Sequence, residues 1–486
     1  MIGQSPPLLP VADAGLSAPW VRMLSQEGVP TVPHRTDTAV AAFVLYDARL
    51  TPSPRLCSPE QRAIDVSLFE FDVIAVDVSA LAAPKTARTF WQAGRQQVSE
   101  ITAAADHRAI RQRLMARLRQ AIEELGGVWI VTSPFPWPFR TAANFRFDHD
   151  RYVAEDFAGV LDAIRGHEEM TTHFICAAAH AAHPEALAAL RDLDVGSHGY
   201  HHHTYLTLAE NLNGISRCVD FLHNCGIEPG GFAAPLGRYN PGLAAAITSL
   251  GISYSSEFAV AYDDLPFAPT GTATLQIPIH PVCLGAAFDA AESKAFIARE
   301  NVADAVGDYF AAAVAERHAA GEPIFFYGHP DGRVGRYPQV LRRFFDAIDQ
   351  HGDIWLTTLG EFARWWRARS MVRWSVYGSA AAPVLRVEAL PNGFPCAIQW
   401  ARGDLRATAS LELGEHRLEP PALRFEAFGE LALTRPVRSE PLCGLRTRLH
   451  QMFDWEYETP VAEIDARRWR GWIKRTLRMV KGRSQC

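Results

Sequence analysis

From Thr141 to about Arg369 the chain alternates short apolar runs with helix-forming stretches, and this alternation limits the fold more than any other feature. The runs Phe145 to Phe147, Thr172 to Cys176, Val195 to Ser197, Gly231 to Ala234, Ser253 to Ser255, Leu275 to Pro278, Ile324 to Tyr327 and Ile354 to Leu356 are read as strands. Pro184 to Leu193, Leu208 to Cys225, Pro241 to Leu250, Val302 to Ala320, Pro338 to His351 and Leu359 to Arg369 are read as helices between them. Strands joined through helices run parallel by right-handed crossovers, so repeated units of this length predict a (β/α) barrel, complete or distorted.

The flanks follow other rules, and 486 residues exceed one ordinary core. Residues 1–35 are proline-rich with little periodicity and are expected as an arm. Residues 36–140 predict a small α/β layer domain: Val40 to Leu45, Val73 to Val78 and Val128 to Val131 are strands of a parallel sheet, and Arg108 to Leu125 is a helix with Ile110, Leu114, Leu118 and Ile122 on one stripe. It carries no glycine-rich phosphate loop, and the Pro-aromatic segment Ser133 to Pro138 ends it. The barrel is expected over 141–370. Residues 371–465 predict a small β-rich, sandwich-like domain with strands at Val372 to Val376, Val384 to Ala389, Cys396 to Trp400, Ala407 to Leu413 and Ala422 to Phe425. The tail 466–486 is basic, with Trp469, Trp472, Ile473, Leu477 and Val480 on one helical face. Such a helix can lie on an anionic membrane surface or pack on the protein's own acidic surface, and the pattern fits either.

With 48 Lys and Arg against 54 Asp and Glu, the net charge of -6 gives no global reason to expect nucleic acid as a partner. The cysteines Cys57, Cys176, Cys218, Cys225, Cys283, Cys396, Cys443 and Cys486 form no C-x-x-C pair and read as reduced core thiols. No basic segment followed by an apolar run opens the chain, and no run reaches the length of a membrane span. The expectation is therefore a cytoplasmic protein, held by its tail at the inner face of the membrane if the tail binds lipid.

Chemistry concentrates at two strand ends. Asn144 to Tyr152 places Asp148 and Asp150 on alternate residues, so both can point the same way where a strand finishes. One carboxylate could hold a cation while the other takes a proton; alone, the pair could equally be a helix cap and a surface residue. Asp194 to Thr204 then crowds His198, His201, His202 and His203 at the end of another strand. Imidazoles beside a carboxylate are the usual ligands of Zn²⁺ and related ions, and His198 and His202 could converge on one ion with an aspartate, leaving positions for water and a substrate oxygen.

Phe147-Asp148-x-Asp150 followed by Ser197-His198-Gly199-Tyr200-x-His202-His203 resembles the polysaccharide deacetylase, or NodB-homology, family over roughly Thr141 to Arg369. The resemblance implies an α/β fold with a distorted (β/α) barrel, one divalent metal (Zn, with Co, Ni or Mn as alternatives), and hydrolysis of an acetyl group from an N-acetylated sugar. It implies Asp150, His198 and His202 as metal ligands and Asp148 as the catalytic base. Gly231 to Asn240 resembles a further motif forming one wall of the groove, with Tyr200, Pro235, Leu236, Arg238 and Tyr239 as substrate contacts. Ile324 to Pro330 resembles the last, with His329 as the acid that protonates the leaving amine. The chain departs from the pattern at Ala233, where the family usually has an arginine that orients the base; Arg146, Arg151 or Arg238 would have to replace it. The substrate implied is a carbohydrate, lipid-linked or soluble. Hydrolysis of another non-peptide carbon-nitrogen bond and glycan binding without turnover are the alternatives.

Overall fold

The computed structural model describes residues 8–9, 11–34, 41–56, 61–69, 85–93, 96–257, 260–269, 271–282, 299–418 and 423–441. The expected strand Val73 to Val78 and the basic tail lie outside them. At the amino end β1 (Val11–Asp13), β2 (Thr31–Pro33), β3 (Phe43–Tyr46) and β4 (Arg62–Asp65) form a parallel sheet in the order β2-β1-β3-β4. Residues 11–33, expected as an arm, therefore hold two strands and the helix α1 (Ala18–Glu27). The prolines misled because they sit where a proline costs little: Pro19 opens α1, and Pro33 lies in the edge strand β2. The helix α2 (His107–Glu124), capped by Asp106, buries Leu114, Leu118 and Ile122 against Val11, Trp20 and Phe43, as its stripe predicts. An antiparallel hairpin, β5 (Lys85–Ala93) with β6 (Gln96–Ala103), precedes it.

Val128 to Val131 forms β7 (Trp129–Thr132), but not in the parallel layer. It pairs antiparallel with β17 (Ala397–Arg402). The carboxy-terminal region is thus not a free-standing appendage. β15 (Arg373–Ser379), β16 (Ala382–Ala389) and β19 (Gly414–Arg417) make one antiparallel sheet; β17, β18 (Leu405–Ser410) and β20 (Glu426–Ala427) make another that β7 completes. Of the expected strand Ala422 to Phe425, Ala422 lies outside the described residues, and Leu423 to Phe425 form no strand but lead into β20. β21 (Arg438–Pro441) adds to β5 in the same way. A pairing between positions more than two hundred residues apart leaves no trace in local periodicity.

The central sheet is parallel, in the order β10-β9-β8-β13, with β8 (Thr141–His149), β9 (Thr171–Ile175), β10 (Asp194–Ser197) and β13 (Ile324–Gly328); β14 (Ile354–Leu356) also pairs with the start of β8. Beyond β10, single bridges join Ser197 to Phe232 and Phe232 to Ser255, so Gly231 to Ala234 contributes one bridging residue where a strand was expected. β11 (Tyr254–Ser255) pairs with β12 (Leu275–Gln276), and the His280 N–H donates to the Phe325 carbonyl of β13. The helices α3 (Ala154–Ala163), α4 (Ala177–His180), α5 (Leu208–Asn224), α6 (Pro241–Ser249), α7 (Arg299–Ala320), α8 (Gln339–Asp349) and α9 (Leu359–Arg369) fill the connections. Pro184 to Leu190 is a 3₁₀ segment.

Every residue of β8 is buried, as a central parallel strand requires. Its period of two separates two kinds of side chain. Ala143, Phe145 and Phe147 pack with Phe310, Phe326 and Phe344 in one apolar cluster. Asn144, Arg146 and Asp148 fall on the other face and are buried too. Asn144 Nδ2 meets its cost by donating to Met170 O, Thr172 Oγ1 and Thr357 O.

Candidate metal and catalytic site

Because β8, β10 and β13 run parallel, their carboxyl ends share one edge of the sheet, and the site residues lie there. Asp150 directly follows β8, His198 directly follows β10, and His329 directly follows β13. His202 comes from the loop after β10, which Gly199 turns at φ 80°, a left-handed conformation that a side chain disfavours. Asp150 does not cap α3, whose N-cap is Val153.

Asp150 Oδ1 stands 3.3 Å from Nε2 of both His198 and His202, and Oδ2 stands 3.3 Å from Nε2 of His329. Oδ1 is buried and completes no hydrogen bond with either ring. Ligand atoms about 2.0 to 2.1 Å from a common tetrahedral centre are separated by about 3.3 Å, so this spacing suits a shared ion. His198 donates from Nδ1 to the Ala233 carbonyl at 2.8 Å, which leaves Nε2 with its lone pair towards Asp150. The donor set Asp150, His198 and His202 fits a borderline divalent ion. Burial works against the Asp150 carboxylate, but the three surrounding histidines outweigh it and hold its pKa well below the ordinary range.

Asp148 has a different partner. Arg146, two residues earlier on the same face of β8, pairs with it bidentately, Nε to Oδ1 at 2.7 Å and Nη2 to Oδ2 at 2.5 Å. Arg146 also donates to the Ser256 carbonyl and, at 3.1 Å, to Ser256 Oγ, and its guanidinium lies 5.0 Å from the Tyr327 ring centre. Burial opposes ionisation of Asp148, and the Arg146 charge reverses this, so the carboxyl titrates below its usual range. Of the three arginines named as substitutes for the residue missing at Ala233, Arg146 makes this pair; Arg238 is half-buried and Arg151 exposed. Ala233 itself is fully buried.

His149 points away from the site, its Nε2 3.0 Å from His173 Nδ1, against the ring of Phe157. His329 is buried, which pushes its pKa down to about 4 despite the pull of Asp150. Among the expected substrate contacts Leu236 is 49% exposed and held at φ 57°, a strained conformation for leucine. Pro235 and Tyr239 are buried, and Tyr200 packs beneath the Arg217 guanidinium at 3.6 Å.

Two acids escaped the sequence reading. Glu257, just past β11, accepts from the Ala234 N–H at 2.7 Å and from Ser255 Oγ at 2.6 Å; burial pushes its pKa up to about 8, with Arg146 only partly offsetting this. Asp331 lies in the turn after His329, pushed up to about 6 by burial. Both follow strand ends, the same positional signal that marks Asp148 and Asp150.

Residues 143–255 match the family model "Polysaccharide deacetylase". No curated protein matches the chain. Solved structures that resemble it include a Mycobacterium smegmatis protein assigned to the polysaccharide deacetylases (17% identity, 49% of this chain and 94% of that one, TM-score 0.40). The allantoinase Puue (18%, 49% and 93%, 0.38) and a family 4 carbohydrate esterase from Streptomyces lividans (17%, 44% and 91%, 0.30) are similar to a like extent. The segment that supplies Asp148, Asp150, His198 and His202 is thus the one that matches the polysaccharide deacetylase family.

Proposed function

We propose that the protein is a metal-dependent deacetylase of an N-acetylated sugar in a glycan or glycan precursor. The observation that carries this reading is the division of labour between two carboxylates at the carboxyl end of β8: Asp150 among histidines, Asp148 on an arginine. Asp150, His198 and His202 would hold the ion, which supplies Lewis acidity to a water and to the acyl carbonyl. Asp148 would take the proton of the attacking water, its two oxygens aimed by the Arg146 fork. Arg146 trades some basicity of Asp148 for fixed orientation, which supplies what the arginine absent at Ala233 would otherwise give. His329, on the other side of Asp150, protonates the leaving nitrogen. Burial leaves it neutral in the resting site, so the proton that Asp148 takes from the water passes to His329 before the C–N bond breaks. The exposed Leu236 forms the wall against which the sugar ring packs.

In this reading the strands close as a distorted barrel; the bridges through Phe232, the β11–β12 pair and the His280–Phe325 hydrogen bond support the closure. The polar row Asn144, Arg146 and Asp148 then lines its interior. No helix among the described residues is long and apolar enough to cross a membrane. Acetate release from chitooligosaccharides by metal-loaded protein tests the reading, and release of ammonia or formate instead, from a panel of amides, would overturn it in favour of another carbon-nitrogen bond.

A further inference from the structure

The opposite edge of the same sheet carries a second cluster of metal-ligand types. His318 near the end of α7, His351 just after α8 and Asp353 just before β14 each offer one donor atom, and these atoms lie within 4.8 Å of one another. His318 Nε2 is 2.6 Å from Asp353 Oδ1, and the rings of His318 and His351 stack at 3.9 Å and 24°. All three are half-buried, so water can complete a coordination shell.

The scaffold beneath these side chains is fixed from one point. Arg140, immediately before β8, donates from Nε to the His318 carbonyl at 2.9 Å and from Nη2 to the Ala319 carbonyl at 2.8 Å, while its own N–H donates to the Asp353 carbonyl at 2.8 Å. Its charge is offset by Glu426 at 3.3 Å. The backbones of two of the three residues are thereby held in register without any ion.

The electrostatics also favour a cation. α7 and α8 each precede a strand of the same parallel sheet, so their carboxyl ends emerge at this edge. The last carbonyls of a helix carry partial negative charge, which stabilises a cation within about one turn. The facing groups are Arg140, Glu426 and the three members themselves.

We propose that His318, His351 and Asp353 form a second divalent-metal site, distinct from the catalytic edge, that clamps the ends of α7 and α8 to the start of β14. Two imidazoles and a carboxylate select the borderline ions Zn²⁺, Co²⁺, Ni²⁺ or Cu²⁺ over Mg²⁺ or Ca²⁺. The ion replaces the proton shared between His318 and Asp353. Its role is structural.

Metal-free protein is dialysed against Zn²⁺ and the bound zinc counted by atomic absorption. The wild type is expected to bind two equivalents; His351→Ala and His202→Ala one each, and the double variant none. Asp353→Asn, which keeps the size and the half-exposed position, should also bind one, and circular dichroism checks the fold of each variant. Zn²⁺ should raise the melting temperature of His202→Ala but not of His202→Ala/His351→Ala. One equivalent in the wild type, lost in His202→Ala, would overturn the second site while leaving the catalytic one. Two equivalents retained in both His351→Ala and Asp353→Asn would overturn it as well. Zinc lost in His351→Ala but retained in His202→Ala would uphold this site and overturn the catalytic assignment.

Discussion

The two edges of the central sheet use similar side chains under different burial. At the carboxyl edge Asp148 is 3% exposed and His198 1%, and each carboxylate is met by opposite charge or by imidazole. At the amino edge the side chains of His318 and Asp353 are 16% and 47% exposed. A buried charge must be paired or it costs several kcal/mol, so the first edge is over-determined by its neighbours, whereas the second leaves water as a competitor. The difference teaches that burial, more than residue type, sets how sharply a cluster is oriented. Catalysis belongs at the sharper one.

The largest effect should come from breaking the carboxyl edge at its shared ligand. Asp150→Asn removes the charge that faces three histidines, and acetate release should fall to background together with the bound ion at that site; a kinetic assay with metal counting checks both. Next is Arg146→Met, which strands Asp148 as a buried, uncompensated carboxylate and should cost about 3 to 5 kcal/mol of stability in urea unfolding. Ala233→Arg brings a second guanidinium into a fully buried position. It should destabilise by about 1 to 3 kcal/mol instead of raising activity, read from the same unfolding curves.

The smallest effect is a slope against pH. Asp148 titrates low when folded, so its pair with Arg146 adds stability above the unfolded carboxyl pKa and loses it as pH falls through the folded one. Glu257 has the opposite sign. Its pKa is raised to about 8, so folding is favoured at low pH and stability declines as pH rises from the unfolded value towards 8. Glu257→Gln should flatten the melting temperature between pH 5 and pH 8 on the scale of buffers, and Asp148→Asn should not flatten it there.

That these candidate residues come together was legible because their positions obey a rule. Asp150, His198 and His329 each follow the last residue of a parallel strand, and strand ends can be read from apolar runs. Arg146 could be named but not chosen, since only packing shows which of three arginines reaches Asp148. The polar row through Asn144 and Arg146 looked apolar overall, because Phe145 and Phe147 dominate the run. Residues 11–33 were missed because three-residue strands are too short to show a period. β7 was assigned to the wrong sheet because its partner, β17, lies in a distant part of the chain. Four of the cysteines, Cys176, Cys218, Cys225 and Cys396, are buried free thiols as their apolar contexts suggest.

In the proposed reaction Asp148 moves a proton while His202 holds the ion. Acetate release and bound zinc should be measured together for the wild type, Asp148→Asn and His202→Ala. The wild type should release acetate, Asp148→Asn should lose about 10²- to 10⁴-fold with the catalytic-edge ion retained, and His202→Ala should lose both activity and that ion. Full activity in Asp148→Asn, or an undiminished ion count in His202→Ala, would contradict it.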